Sequence, residues 1–214
     1  VDDEAVQAAA KQEIIRRYYN TLCQKRQGTA DEEQIRKIEL LMKQASITPD
    51  DRPVISAAKV KAAATGEPAA AIELPDGRII TGKTSELLGA SSAMLLNALK
   101  ALAGIEDSVL LISPTIIDPI QELKVEHLHN KNPRLHTDEV LIALSICAAT
   151  DEKAKRAMEQ LKNLKNSEVH SSVILSHVDM NIFRSVENVN LHTIISYHLG
   201  DEYHHFLERF HEET

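Results

Sequence analysis

Residues Ala69-Ala70-Ala71-Ile72-Glu73-Leu74-Pro75-Asp76-Gly77-Arg78-Ile79-Ile80-Thr81-Gly82-Lys83-Thr84 admit two readings, and the choice between them decides the fold. From Gly77 to Thr84 the string satisfies the phosphate-loop pattern G-x-x-x-x-G-K-S/T letter for letter. A phosphate loop needs a bare backbone turn between its glycines, with a helix N-terminus aimed at the oxyanions. Arg78-Ile79-Ile80-Thr81 occupies that place instead, and such residues read as a strand. Pro75-Asp76-Gly77 is turn chemistry, so residues 69–74 and 78–81 are expected to form the arms of a β-hairpin. Gly82 closes the second arm, and Thr84 or Ser85 caps the helix expected next. A nucleotide loop would also be followed by an apolar strand ending in a magnesium-binding Asp, whereas Val109-Leu110-Leu111-Ile112 runs into Ser113-Pro114. A narrower idea survives: Lys83 and Thr84, at an expected helix start, are candidate anion contacts.

Upstream of the hairpin, Val6, Ala9, Ala10, Ile14, Tyr18 and Leu22 recur at helical spacing, and Gly28 ends the segment. Thr29-Ala30-Asp31-Glu32 reads as a capping-box start, followed by the apolar stripe Ile35, Ile38, Leu41, Met42 and Ala45. Residues 1–52 are therefore expected to be a helical hairpin subdomain with its linker, Thr48-Pro49-Asp50-Asp51-Arg52-Pro53, and a third helix near 54–64 is stopped by Gly66. Downstream, residues 85–103 form an expected helix that is apolar nearly all round, which places it against a sheet at the centre of the domain. A buried strand at 109–112, helices over 114–128, 137–149 and 150–164, a strand at 172–176, a helix near 179–187 and a strand at 191–197 complete an α/β domain over 53–200. The expected architecture is a mixed sheet with helices on both faces. Residues 201–214 carry Tyr203, Phe206, Leu207 and Phe210 at the spacing of a C-terminal amphipathic helix.

Composition sets limits on function. With 214 residues and 43% apolar content the chain can bury a substantial core. Its net charge of −8 argues against nucleic acid or an anionic membrane as partner. No apolar run approaches the roughly 18 residues of a membrane span and no secretory signal is evident, so the expected compartment is the cytoplasm. Cys23 and Cys147 have no neighbour at metal spacing and read as buried thiols. The chain opens on Val1-Asp2-Asp3-Glu4, as expected of a piece of a longer or processed polypeptide.

Several constellations carry chemical residue types. The order of helix, hairpin, helix, strand and helix matches that of zinc-dependent nucleoside deaminases. Those enzymes hold zinc with a His or Cys at one helix start and P-C-x-x-C at the next. Ser85-Glu86 and Pro114-Thr115-Ile116-Ile117 stand there instead, so zinc deamination is not expected, and no metal or other cofactor is. Arg134-Leu135-His136-Thr137-Asp138-Glu139 is the densest cluster of catalytic types, at a helix start where anions bind well. His136 and Asp138 are candidates for an acid–base pair and Arg134 for an anion contact; Thr137 and Asp138 equally suit a cap. His170-Ser171-Ser172 and Ser176-His177-Val178-Asp179 offer Ser, His and Asp without a nucleophile elbow. His204, Glu208 and His211 share a helical face without forming H-E-x-x-H.

The strings Ala70-Ala71-Ile72-Glu73-Leu74-Pro75-Asp76-Gly77-Arg78, Leu88-Gly89-Ala90-Ser91-Ser92, Lys131-Asn132-Pro133-Arg134-Leu135-His136-Thr137-Asp138-Glu139-Val140-Leu141 and Lys11-Gln12-Glu13-Ile14-Ile15-Arg16-Arg17-Tyr18 are specific. On them, and on Thr81-Gly82-Lys83-Thr84-Ser85, the chain resembles the C-terminal part of the bacterial domain-of-unknown-function family 1846. The resemblance runs from Val1 to about Leu175. It implies a cytidine-deaminase-like topology for the α/β domain and a preceding α/β domain with its own phosphate-loop-like segment. It transfers no catalytic residues. The expected role is a scaffold for homo-oligomerisation, or one wall of an interdomain ligand site completed by that preceding domain. The alternative is part of an enzyme acting on a nucleotide or a phosphorylated small molecule, with Lys83, Thr84, Arg134 and His136 at the site.

Overall fold

Pro75-Asp76-Gly77 turns the chain back on itself in the computed structural model, which describes residues 3–186. Strands β1 (Ala69–Glu73) and β2 (Ile79–Lys83) pair antiparallel, with Ala69 opposite Lys83 and Glu73 opposite Ile79. Gly77 takes φ +82° at the turn, a left-handed conformation open to glycine without a Cβ clash. The phosphate-loop match is thus a turn and a strand.

The third strand, β3 (Glu168–Ser171), pairs antiparallel with β1, giving the order β2-β1-β3. The sheet is antiparallel throughout, which corrects the mixed sheet expected from sequence. Residues 109–112 form no strand: Leu111 and Ile112 are buried, but the loop before them is held by Lys100, whose Nζ donates to the carbonyls of Asp107 at 2.7 Å and Val109 at 3.5 Å. Val109 is half-buried and Leu110 is 69% exposed, so this apolar run marks neither a ladder nor continuous burial. β3 lies before the expected 172–176 strand because its polar letters are neutralised by tertiary contacts. Arg52 donates from Nε to Oε2 of Glu168 at 2.9 Å. His170 is buried with its ring edge-on to Tyr19 at 5.0 Å, and burial, then Arg52 and Lys59, push its pKa down to about 3.

Helices cover both faces of this sheet. The hairpin α1 (Asp3–Arg26) and α2 (Glu32–Gln44) is followed by α3 (Pro53–Thr65). Asp31 caps α2, accepting the Gln34 N–H at 2.9 Å while the Gln34 side chain accepts the Asp31 N–H at 3.0 Å. His170 and its partner Ala71 face Tyr19 of α1, and α3 packs on all three strands. Side chains alternate along a strand, so Ala70 and its partner Gly82 face the other way, towards α4 (Ala90–Ala103). One apolar core runs through both regions, joining Ile15, Tyr19 and Met42 of the hairpin to Ile72, Leu95 and Leu99.

Helix α4 starts five residues later than expected. Ser85 caps a turn instead, its Oγ accepting the Leu87 and Leu88 N–H groups at 3.3 and 3.1 Å. Lys83 therefore ends β2 and Thr84 follows it, and neither stands at a helix start. The remaining helices are α5 (Pro114–Glu122), continued by a π-helical turn at Leu123–His127, α6 (Thr137–Ala148), α7 (Glu152–Met158) with a 3-10 extension to Leu164, and α8 (His177–Ser185). Cys23 and Cys147 are both buried, and neither is part of a disulfide. No helix among the described residues is long and apolar enough to cross a membrane. The strand expected at 191–197 and the tail from Asp201, with His204, Glu208 and His211, lie outside the described residues.

A Cβ on Gly82 would stand 2.1 Å from the backbone nitrogen of Met94 and 2.5 Å from its Cα, so any side chain there must push α4 off the sheet. Gly82→Ala is expected to lower the unfolding free energy by about 2–3 kcal/mol in urea denaturation. A loss below about 0.5 kcal/mol would mean that α4 is not pinned at this point.

Candidate functional site

Two helix starts meet at Leu135. The Leu135 N–H donates to the Leu87 carbonyl at 2.9 Å, and the Leu135 carbonyl accepts the Gly89 N–H at 3.3 Å and the Ser92 hydroxyl at 2.9 Å. Helix α4 has glycine at its N-cap and no side-chain cap of its own, and a peptide carbonyl from 43 residues beyond Ser92 takes the N-cap N–H and the Ser92 hydroxyl. The next residue, His136, is the N-cap of α6. Pairing Leu88 with Leu135 thus sets the starts of α4 and α6 side by side.

Helix α8 brings an acid to the same place. Ser176 caps α8 by accepting the Asp179 N–H at 3.1 Å, and its hydroxyl donates to Oδ2 of Asp179 at 2.8 Å. Oδ1 of Asp179 accepts the Thr137 N–H at 3.1 Å and the Thr137 hydroxyl at 2.8 Å. Oδ2 faces Nδ1 of His136 at 3.5 Å, an ion pair when the ring is protonated. Burial works to raise the Asp179 pKa, but the hydrogen bonds from His136, Thr137 and Ser176 outweigh it and hold the carboxyl at about 2. Asp179 in turn raises the His136 pKa above its ordinary value, against burial and the Lys124 charge, with Glu139 adding to the rise. The result is a partly exposed imidazole beside a fixed carboxylate that favours its protonated form, an arrangement that suits proton transfer.

Arg134 and His136 come together here. Nε of Arg134 donates to the Ser85 carbonyl at 2.8 Å, and its terminal nitrogens make no hydrogen bond among the described residues. Thr84, one residue before that anchor, is buried, and its N–H donates to the Pro68 carbonyl at 2.8 Å. Lys83 is exposed at the end of β2, and no described hydrogen bond or ion pair ties it to this cluster. Asp138 is not the partner of His136; its Oδ1 is buried and has no hydrogen-bond partner among the described residues. The imidazole's acid is Asp179, which the sequence offers only within the Ser176-His177-Val178-Asp179 cluster. Its Ser-x-x-Asp spacing is the local signal, and nothing in that spacing points to His136.

Among the described residues no three His, Cys, Asp or Glu side chains are grouped to hold a metal. Open grooves of about 370 and 360 Å³ lie elsewhere, one lined by Tyr18, Met42 and Ile47 and the other by Glu73, Gly77 and Glu168. Neither is lined by His136, Arg134 or Asp179.

These features define an α/β protein on a three-stranded antiparallel sheet, with a His–Asp pair where two helices begin. The chain belongs to the family described as "Domain of unknown function DUF1846", whose C-terminal domain matches residues 50–197 and whose N-terminal domain matches residues 1–46. It therefore draws on both family domains and not on the C-terminal one alone. It is 54% identical over 186 residues to a UPF0371 protein of Corynebacterium glutamicum strain R, covering 87% of this chain and 38% of that protein. A UPF0371 protein of Streptococcus thermophilus is 52% identical over 185 residues, 86% of this chain and 37% of the relative. A third, from Streptococcus pyogenes, is 50% identical over 199 residues, 92% of this chain and 40% of the relative. The chain spans less than half the length of these relatives.

The signs of the two shifts fix a pH window. His136 has its pKa raised from 6.5, so its contribution is complete below pH 6.5 and fades as pH rises through the raised value. Asp179 is lowered from 3.8 to about 2, so its contribution is present above 3.8 and fades as pH falls through about 2. Asp179→Asn is expected to cost about 1–3 kcal/mol at pH 5, and less at a pH high enough for His136 to have lost its proton, by urea unfolding. An equal loss at both pH values would rule out a charged pair.

Proposed function

We propose that this region forms one wall of a ligand site completed by the remainder of the family's polypeptide, and that His136 moves a proton on a phosphorylated small molecule or nucleotide held there. The carrying observation is the partly exposed His136 imidazole, 3.5 Å from Asp179, beside an Arg134 whose terminal nitrogens are uncommitted among the described residues. Arg134 binds the anion, His136 is the acid–base group and Asp179 orients it. An arginine fork suits phosphate better than a point charge does. Thr84 and Lys83 approach the ligand only through the Ser85 turn, and Asp138 stands on the same first turn of α6. The order α3-β1-β2-α4 supports a cytidine-deaminase-like layout for the domain. Gly89-Ala90-Ser91-Ser92 and Pro114-Thr115-Ile116-Ile117 supply no thiolate or imidazole at its two helix starts, so this reading carries no zinc chemistry.

A second reading, homo-oligomerisation, has its own support. Ile142 and Ile146, one turn apart on α6, are 60% and 53% exposed, and no charged residue lies between Val140 and Thr150. Light scattering on the chain and on an Ile142→Glu, Ile146→Glu variant tests it.

Calorimetric titration with inorganic phosphate and with a nucleoside monophosphate tests the first reading. Arg134→Ala is expected to weaken binding about tenfold or more, and His136→Asn to weaken it less. Unchanged affinity in both variants would remove these residues from the site, and Lys83→Ala decides whether Lys83 takes part.

A further inference from the structure

The segment Leu123-Lys124-Val125 is buried against its hydropathy. Leu123 is 49% exposed and Val125 38%, while Lys124 between them is 3% exposed. The inversion comes from the π-helical turn at Leu123–His127, whose extra residue rotates the chain and turns the lysine inward. Such turns are short, and they occur often at functional sites. A buried ammonium without partners is costly, so its contacts show what it is held for. Nζ of Lys124 donates to the Arg134 carbonyl at 2.6 Å and to Oε2 of Glu139 at 2.7 Å. The same Oε2 accepts the backbone N–H of His136 at 2.8 Å. Asn132 tightens the turn by accepting the Arg134 N–H at 3.1 Å.

We propose that Lys124 is the positioning residue of this site: from the π-helical turn it grips the Arg134 carbonyl and the Glu139 carboxylate together, fixing the turn that presents Arg134 and His136. The inference rests on the proton-transfer reading of His136. Lys124 touches no ligand. It acts through the backbone on either side of Leu135, so losing it moves both presented side chains. It also acts by charge. The groups facing the imidazole are Asp179 from α8, Glu139 from α6 and Lys124 from the π-helical turn, and Lys124 is the cation that opposes the two acids. Without it, Glu139 loses its counter-ion and the ring faces two carboxylates.

NMR titration of the His136 ring in the chain, without ligand, tests the coupling. Lys124→Met is expected to raise the His136 midpoint by roughly half a pH unit or more. Lys124→Arg, which keeps the charge and both donations, restores it. Glu139→Gln keeps an acceptor for the His136 N–H but removes a negative charge, so its midpoint falls; this variant serves if Lys124→Met does not fold. A folded Lys124→Met with an unchanged midpoint, or Glu139→Gln with an unchanged one, overturns the proposal. Because no ligand is present, failure here is separate from failure of the phosphate titration.

Discussion

The contact of α4 with β2 at Gly82 is the constraint from which the rest of the geometry follows. A helix can approach a strand backbone this closely only where the strand offers no Cβ, and Gly82 is that place. With Met94 seated there, the start of α4 is fixed in space, and its first turn needs an acceptor. Gly89 supplies no side chain, so the Leu135 carbonyl takes the role. Once residue 135 is placed, the next residue must begin α6, and His136 arrives beside Arg134 without a loop of its own. Packing in the centre thereby decides where a titratable ring stands at the edge.

Buried cations tie the loops to this frame. Arg52 joins the start of α3 to β3 through Glu168, which stands directly across from Glu73. Burial, and then Glu168, raise the Glu73 pKa, so the guanidinium offsets a like-charge pair that would otherwise oppose the strand pairing. Lys100 gathers the carbonyls of Asp107 and Val109, and Lys124 the Arg134 carbonyl with the Glu139 carboxylate. In each case a long, largely buried side chain reaches backbone or carboxylate oxygens of another segment.

Local chemistry was legible in the sequence, and remote chemistry was not. The hairpin turn at Pro75-Asp76-Gly77 and the buried character of α4 each depend on neighbours within a few residues, whereas the capping box read at Thr29–Glu32 forms two residues later, between Asp31 and Gln34. The start of α4 is not legible in its own sequence, because the acceptor at its N-cap is a carbonyl from a distant segment and not a local side chain. β3 was missed because Glu168 is neutralised by Arg52, 116 positions away. At the site, His136 and Arg134 stood out as residue types at a helix start. Asp179 did not, being 42 positions from Thr137 and grouped in sequence with Ser176 and His177, and Lys124 was hidden by a π-helical turn that leaves no mark on a 3.6-residue period.

The pairing of β1 with β3 has a consequence for synthesis. The Ala69 N–H is bonded to the Ser172 hydroxyl across 103 residues, so the hairpin leaves the ribosome long before its third strand. At about 5–20 residues per second, the free edge of β1 waits on the order of 5–20 seconds. That edge is Ala69-Ala70-Ala71-Ile72, apolar and uncharged, the kind of strand that recruits another chain. β3, with Glu168 and His170 in it, is the partner that closes this edge, so the interval before it emerges is the nascent protein's period of greatest exposure to aggregation.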